Sequence, residues 1–427
     1  MRVAPLASAA SPVTPAGWDA LKEAAIRCAV ILGLFYFSEA LFSRLLASAP
    51  GVEDSSILRT LWYPIYLATL IGLASRPWRA LMGIKNTTLL WLCAGLAVAS
   101  VFWSLDSGLT LRRGVALMMT TAFGVYIAVR FSWEDMIGLF AWTFVVLGVM
   151  SLLACLAAPG FGVHQTIHPG AWRGLWWEKN TLGGMMVHGG LAAACMIVYR
   201  PDRWGRWLAT LGLSAALVAA STSKTSLLAL LTALALMAAI GLGRRDPRLT
   251  VFLVLGALVF GSATAFGLVF APEFVFGLIG REPTLTGRTD IWVSLWAQIQ
   301  EAFWTGFGYG VFWEVEDGPV YWVRRSTQWA VPTAHNGWLE TWLAIGVGGV
   351  AVFALAYLGA LGRAVARLSR GPEVYWALPF LVIFLVFSVS ESNILQRNNL
   401  NWVLFVATAA KLASPRKPSV YGLGEGA

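Results

Sequence analysis

Long apolar runs with almost no charge recur along nearly the whole chain, and this restricts it to helices packed in a membrane. A helix needs about 20 apolar residues to cross the hydrocarbon core. Twelve runs qualify, roughly 28–47, 57–75, 87–104, 113–130, 136–157, 181–199, 207–222, 225–243, 249–271, 337–360, 374–390 and 399–412. The last is short and the pair flanking Lys224 is closely spaced, so ten to twelve transmembrane helices is the expected range. Only 12% of the 427 residues are charged, against about 25% in an ordinary soluble domain, so a soluble enzyme is excluded. Disorder is excluded by the 58% hydrophobic content. Four cysteines, all within apolar runs, make no disulfide framework. The fold class expected is all-α, a polytopic helical bundle.

The net charge of +9 follows from topology rather than from nucleic-acid binding. Arg76/Arg79/Lys85, Arg200/Arg203/Arg206, Arg244/Arg245/Arg248 and Arg363/Arg367/Arg370 recur in alternate loops. With Arg2, Lys22, Arg27, Arg130, Lys411, Arg416 and Lys417 they put 19 of the 31 basic residues on one side. That side is expected to be cytoplasmic and to hold both termini. The expected organisation is a cytoplasmic tail over 1–27, helices over 28–271, a large outer loop over 272–336, further helices over 337–412 and a tail over 413–427. Residues 1–20 have three prolines and neither a compact apolar region nor a basic cluster, which does not describe a cleavable signal peptide.

Two outer loops carry candidate chemistry. Within the longer one, Ile291, Trp292, Leu295, Trp296, Ile299 and Phe303 recur at helical spacing, predicting an amphipathic helix at the membrane interface. Arg288 falls in its first turn, where the positive helix end adds to the guanidinium charge and favours an anion. An arginine there also suits lipid headgroups. The run Gly306-Phe307-Gly308-Tyr309-Gly310 lacks the strand and lysine of a phosphate loop and is expected to be a tight turn. His335 precedes a membrane helix, a position that suits a general base or a merely structural imidazole. Lys224, in the segment STSKTS, would snorkel to water or partner a phosphate. Glu39 and Glu340 lie inside apolar runs and need partners or a cavity. The shorter loop, about 158–180, holds His164, His168, Arg173 and Lys179. Pro169 and Gly170 argue against a helix that would aim both histidines at one metal, and no metal is expected. Glu314, Glu316 and Asp317 make no Asp-x-Asp pair and are expected to form a solvated acidic patch.

Several segments together resemble the O-antigen ligase and polymerase superfamily of bacterial inner membranes. They are GLWWEKNTLGG (174–184), STSKTSLLALL (221–231), GRTDIW (287–292) with GFGYGVFW (306–313), and HNGWLETWLAIGVGG (335–349). The last runs His335-Asn336, nine residues, Gly346, two residues, then Gly349. VFWSLDSGLTLRRG (101–114) is similar to the exopolysaccharide-production branch. The resemblance covers about residues 90–410 in order.

What the resemblance implies is specific. The architecture would be that of the multi-pass, lipid-dependent glycosyltransferases, and no cofactor or metal is implied. The donor would be a glycan on undecaprenyl pyrophosphate, used on the periplasmic face. His335 would be catalytic, and Arg288 and Lys224 would hold the pyrophosphate. Arg173, Lys179, Asn180 and Asn336 are candidate substrate contacts. Lys224 stands where the family often has arginine, and Trp292 where an Arg-x-x-x-Leu pattern has leucine. Implied partners are the lipid-linked donor, a glycan acceptor, membrane lipids and other polysaccharide assembly proteins, and no nucleic acid. A polymerase would use the hydroxyl of the next lipid-linked repeat unit, and a ligase would use lipid A–core. A transporter or flippase would need repeated halves with midplane charges, which the sequence does not show. A non-catalytic scaffold would tolerate loss of His335.

Overall fold

A computed structural model describes residues 15–46, 56–246, 248–249 and 288–415. The ninth apolar run, the loop up to 287 and both extreme tails lie outside the described residues. The described chain is helical, with one isolated bridge between Val163 and Trp172. The helices are α1 (Pro15–Phe37), α2 (Ser56–Ala74), α3 (Pro77–Asn86), α4 (Thr88–Ala99), α5 (Ser107–Arg130), α6 (Trp133–Ala157) and α7 (Lys179–Tyr199). There follow α8 (Trp204–Ala220), α9 (Lys224–Arg245), α10 (Arg288–Glu301), α11 (Val320–Thr327), α12 (Gly337–Val365), α13 (Val374–Ser390) and α14 (Leu400–Ala413).

Four of these, α6, α7, α9 and α12, are long and apolar enough to cross a membrane unaided. A fifth span is available if α3 and the stretch from α4 to Phe102, bent by 83°, cross as one. Helices α13 and α14 are apolar but shorter. Leu153, Leu156, Leu228, Leu231, Leu355 and Leu358 are exposed on α6, α9 and α12, although the same helices bury residues such as Leu147, Leu230 and Phe353. Helices apolar all round belong in lipid.

Polar caps mark where the helices start. The side chains of Asp106, Ser132, Ser223, Asn336 and Asn399 each accept a backbone N–H from the first turn that follows. Inside the bundle, buried threonines return their hydroxyls to the preceding turn, as Thr120 does to Ala116 O (2.7 Å) and Thr143 to Leu139 O (2.9 Å). The indoles of Trp376 and Trp402 donate to Thr408 and Thr121 at 2.9 and 3.0 Å. These polar atoms, removed from water, find partners within the bundle, whereas the buried Tyr199 hydroxyl and Trp207 indole N–H make no hydrogen bond among the described residues.

The first apolar run, 28–47, is not one helix, because α1 ends at Phe37 and Glu39 and Leu41 have positive φ; two starts also differ from the runs. Helix α1 starts at Pro15 rather than near 28, because ion pairs such as Glu23–Arg27 (3.3 Å) and Arg27–Asp135 (2.8 Å) carry it past its apolar stretch. Helix α5 starts at Ser107 and takes Arg112 and Arg113 into its first turns, since Asp106 caps it there.

The two ends of the bundle differ chemically. At one, Arg130 pairs with Glu23, Arg200 with Glu134 (3.3 Å), and Lys411 donates to Ala128 O (3.0 Å) and Phe131 O. Arg367 donates to Leu412 O (2.6 Å) and Arg244 to Leu368 O (2.6 Å) at the same end. These belong to the basic set that the loops predict for one side. The opposite end carries a second, smaller apolar core. Ile291, Leu295 and Ile299 of α10 pack there with Val320 and Val323 of α11 and Leu343 of α12. The apolar edge of α10 is therefore covered by protein, where the sequence predicts contact with the membrane interface, and Trp296 remains partly exposed.

Helix α12 is broken within its first three turns. Ile345 leaves helical geometry, and Gly346 has φ +70° and ψ −176°, a combination open essentially to glycine alone. The loop after α10 repairs the break. Phe307 N–H donates to Leu343 O (2.7 Å), Gly308 N–H to Ala344 O (3.2 Å), and Val347 N–H to Phe303 O (3.0 Å). A side chain at Gly346 would run into the backbone of Trp304. The expected tight turn at 306–310 is thus a strap whose three glycines all have positive φ and which bonds to the broken helix.

Candidate functional site

His335 sits in the turn before α12 with φ +47°, a left-handed backbone that few side chains adopt. Its neighbours hold it there. Asn336 caps α12 through Trp338 N–H (3.0 Å) and Leu339 N–H (3.3 Å). The buried carboxylate of Glu340 accepts from Ala334 N–H (2.6 Å), from the Trp313 indole (3.0 Å) and from Ser392 Oγ (3.3 Å). The partners required by a carboxylate inside an apolar run are thus loop groups, and Glu340 fastens the His335 turn to the helix that follows it. Trp292 on α10 adds an indole bond to Ala334 O (2.9 Å).

Arg288, at the start of α10, reaches the same place. Its Nη1 donates to Ser390 O (2.6 Å), and its Nη2 lies 3.3 Å from Glu391 Oε1. The other carboxylate oxygen of Glu391 is 3.7 Å from His335 Nδ1, and Glu391 O accepts from Gly337 N–H (3.1 Å). Two candidate residues separated by the whole α10–α11 loop therefore meet on one carboxylate. Glu391 was not among the sequence candidates. It closes the run 374–390, and nothing in the sequence places it beside Arg288 or His335.

Lys224 begins α9 at the same end and is exposed. Ser223 beneath it accepts from Ser226 N–H (3.4 Å). Lys179, opening α7, donates to Thr222 Oγ1 (3.1 Å), and Gly183 lets α7 close onto Ser221 and Ser226. The KN segment and the STSKTS segment are thus one packed unit. It adjoins the Glu391 cluster, since Gly184 of α7 lies against Phe387 of α13, one turn from Ser390. Asn180 lies in the first turn of α7 and is exposed. Arg173 is committed to its own loop, donating to Phe161 O (3.1 Å) and Gly160 O (3.2 Å).

Glu178, just before α7, was also missed. Burial pushes its carboxyl pKa up, and Glu391 adds to that, while His168, Arg173 and His335 pull it down. It therefore shares the electrostatic field of the His335 cluster. His164 is buried, and desolvation with Arg173 nearby lowers its pKa to about 4. Its backbone is not helical, and the described residues contain no group of three or more His, Cys, Asp or Glu arranged to hold a metal ion. Glu314, Glu316 and Asp317 are exposed, as a solvated patch requires, and the first two also pair with Arg113 (2.9 Å) and Arg324 (3.3 Å).

A basic and imidazole-bearing end, fixed to one carboxylate at the mouth of an apolar bundle, suits anionic substrates presented by lipid. The sequence model of the family described as O-antigen ligase matches residues 209–354, a span that includes Lys224, Arg288, His335 and Gly346. A relative, the exopolysaccharide production protein ExoQ of Rhizobium meliloti (strain 1021), is 25% identical over 418 residues, covering 91% of this chain and 89% of the relative. The two matches bear out the resemblance to the O-antigen ligase superfamily and its exopolysaccharide-production branch.

Proposed function

We propose that this protein is a bacterial inner-membrane polysaccharide polymerase. It would transfer a glycan from undecaprenyl pyrophosphate to a sugar hydroxyl of a lipid-linked repeat unit on the periplasmic face. The coarser statement, a polysaccharide-related ligase or polymerase, rests on the family match and the exopolysaccharide relative. The convergence of Arg288 and His335 on Glu391 supports the glycan-transfer site, and the exopolysaccharide relative favours a polymerase over a ligase.

Displacement of a pyrophosphate needs stabilised charge on the leaving group and a base for the incoming hydroxyl. Arg288 uses two donors on Ser390 and Glu391, so the rest of its five-donor fork can face a pyrophosphate. Lys224 adds a second cation at the same end. His335 takes the acceptor proton on Nε2, and Glu391 beside Nδ1 stabilises the imidazolium that results. The hydroxyl oxygen forms the new bond to the anomeric carbon, the bond to the pyrophosphate oxygen breaks, and polyprenyl pyrophosphate leaves as the anion. A direct displacement inverts the anomeric centre. In this reading ten to twelve helices span the membrane, with the His335 end periplasmic and the basic end and both termini cytoplasmic. Lys179, Asn180 and Asn336 line the approach. Membrane lipids and other assembly proteins are the surroundings in which it works.

The family description favours a second reading, a ligase that delivers the glycan to another acceptor. Purified full-length protein given an undecaprenyl-pyrophosphate-linked repeat unit as sole substrate separates the two. Longer lipid-linked glycans and free undecaprenyl pyrophosphate support the polymerase. No product until a separate acceptor is supplied supports the ligase.

A further inference from the structure

A cavity of about 360 Å³ opens among the outer ends of α1, α2 and α5 and the segment after α13. Four arginines line it, Arg59, Arg112, Arg113 and Arg397, with one carboxylate, Glu39. Arg113 is taken up by Glu314 (2.9 Å) and by Gly310 O, whereas Arg59 and Arg112 are exposed. The rest of the wall is aromatic and apolar. Trp62, Tyr63 and Tyr66 stand on one side and Leu111 and Val115 on the other, the last two with Tyr63 being exposed. Tyr66 fixes the floor by donating to Asn398 Oδ1 (2.6 Å) beside Arg397.

A cluster of guanidinium groups in an apolar, aromatic wall matches an anionic head on a hydrophobic tail. Arginine forks recognise phosphate oxygens bidentately, and the exposed apolar residues at the rim give a tail a way out into lipid. A second cavity, of about 190 Å³, adjoins this one across Arg113 and Arg397 and extends past Tyr309, Trp313 and Gln396 to Thr333 and Glu340. Thr333 Oγ1 accepts from the backbone N–H of His335 (3.3 Å), so this second space ends at the turn that carries the candidate base. Its aromatic faces and hydrogen-bonding side chains suit a sugar.

The geometry points to a second pyrophosphate site: Arg59, Arg112 and Arg397 hold the headgroup of the acceptor, itself a lipid-linked saccharide, while its sugar end reaches His335 through the smaller space. This rests on the polymerase reading and deepens it. The donor pyrophosphate occupies Arg288 and Lys224, and the acceptor pyrophosphate lies away from the reacting hydroxyl by the extent of its saccharide. Segment 391–399 joins the two sites, with Glu391 at one end and Arg397 at the other. The segment VFWSLDSGLTLRRG supplies Arg112 and Arg113 and thereby gains a role.

The test is native mass spectrometry of full-length protein in detergent, titrated with undecaprenyl pyrophosphate or with phosphatidylglycerol. Wild type is expected to hold two copies of undecaprenyl pyrophosphate, and Arg59→Ala/Arg112→Ala only one. Arg288→Ala/Lys224→Ala is also expected to hold one, and the fourfold variant none. Arg112→Lys should keep the second copy at about tenfold weaker affinity, since charge remains and the fork is lost. Two outcomes overturn the second site and leave the polymerase reading standing. One is a single copy on wild type that Arg59→Ala/Arg112→Ala does not disturb. The other is equal displacement of the second copy by phosphatidylglycerol, which would make the cavity a general lipid contact. Loss of both copies from Arg59→Ala/Arg112→Ala at an unchanged thermal midpoint would make the cavity part of one site and also overturn the proposal. Wild type binding no copy would overturn the proposal and the polymerase reading together.

Discussion

Glu391 is the contact through which Arg288 and His335 meet, so replacing its charge isolates what that meeting contributes. Glu391→Gln keeps an oxygen able to accept from Arg288 and removes the charge beside His335 Nδ1. The carboxylate is 3.3 Å from the guanidinium and 3.7 Å from the imidazole, with its side chain about a third exposed (35%). At 3.7 Å the Glu391–His335 contact is a charge pair rather than a hydrogen bond, and at this partial exposure it contributes about 1–1.5 kcal/mol to the imidazolium. At about 1.4 kcal/mol per factor of ten, the turnover of Glu391→Gln should fall about tenfold. Glu391→Ala, which also frees the guanidinium, should lose about 10- to 100-fold. The assay is the rate of undecaprenyl pyrophosphate release from a lipid-linked repeat unit. Because the carboxylate is argued to act through His335, Glu391→Gln placed on a His335→Ala background should change the residual rate by no more than about twofold. A wild-type rate for Glu391→Gln would refute the reasoning, as would an undiminished tenfold fall on the His335→Ala background.

Three further outcomes are expected. Gly346→Ala should lower the thermal midpoint of the purified protein, because its backbone conformation costs another residue about 1–3 kcal/mol and the new methyl meets Trp304; an unchanged midpoint would contradict the strap-and-break account. Lys224→Arg should retain most of the turnover and Lys224→Ala should lose about tenfold, as expected for a cation facing a phosphate; equal rates for wild type and Lys224→Ala would remove it from the site. His164 is held neutral by burial, with its pKa lowered from 6.5 to about 4. The unfolded chain takes up this proton first as pH falls, so the associated stability is present above about pH 6.5 and is lost towards pH 4. His164→Gln should flatten the dependence of the thermal midpoint on pH across that window, and an unaltered slope would show that other groups set it.

Apolar runs made the all-helical class legible, because twenty uncharged residues permit little else in a membrane. They did not show where charged helix extends past the apolar stretch. Glu23 and Arg27 lengthen α1 through contacts with Arg130 and Asp135, distant in sequence. The kink at Gly346 was visible only as a glycine, since its cause lies in the strap at 303–308. Arg288, Lys224 and His335 stood out as charges or imidazole where apolar residues prevail. Glu391 did not, because a carboxylate at the end of a run reads as an ordinary helix terminus until Arg288 and His335 are folded against it. Arg59, Arg112 and Arg397 share a cavity although they belong to three separate segments, and no local pattern announces that.

The central claim is that Arg288 and His335 act together in joining lipid-linked repeat units. The most direct test sizes the lipid-linked glycans in a deletion strain complemented with wild type, Arg288→Ala or His335→Ala at matched membrane levels. Single repeat units left on the carrier in both variants, with long chains restored by wild type, is the predicted result. Wild-type chain lengths in both variants would contradict the site, and full-length chains stranded on the carrier would replace the polymerase with a ligase.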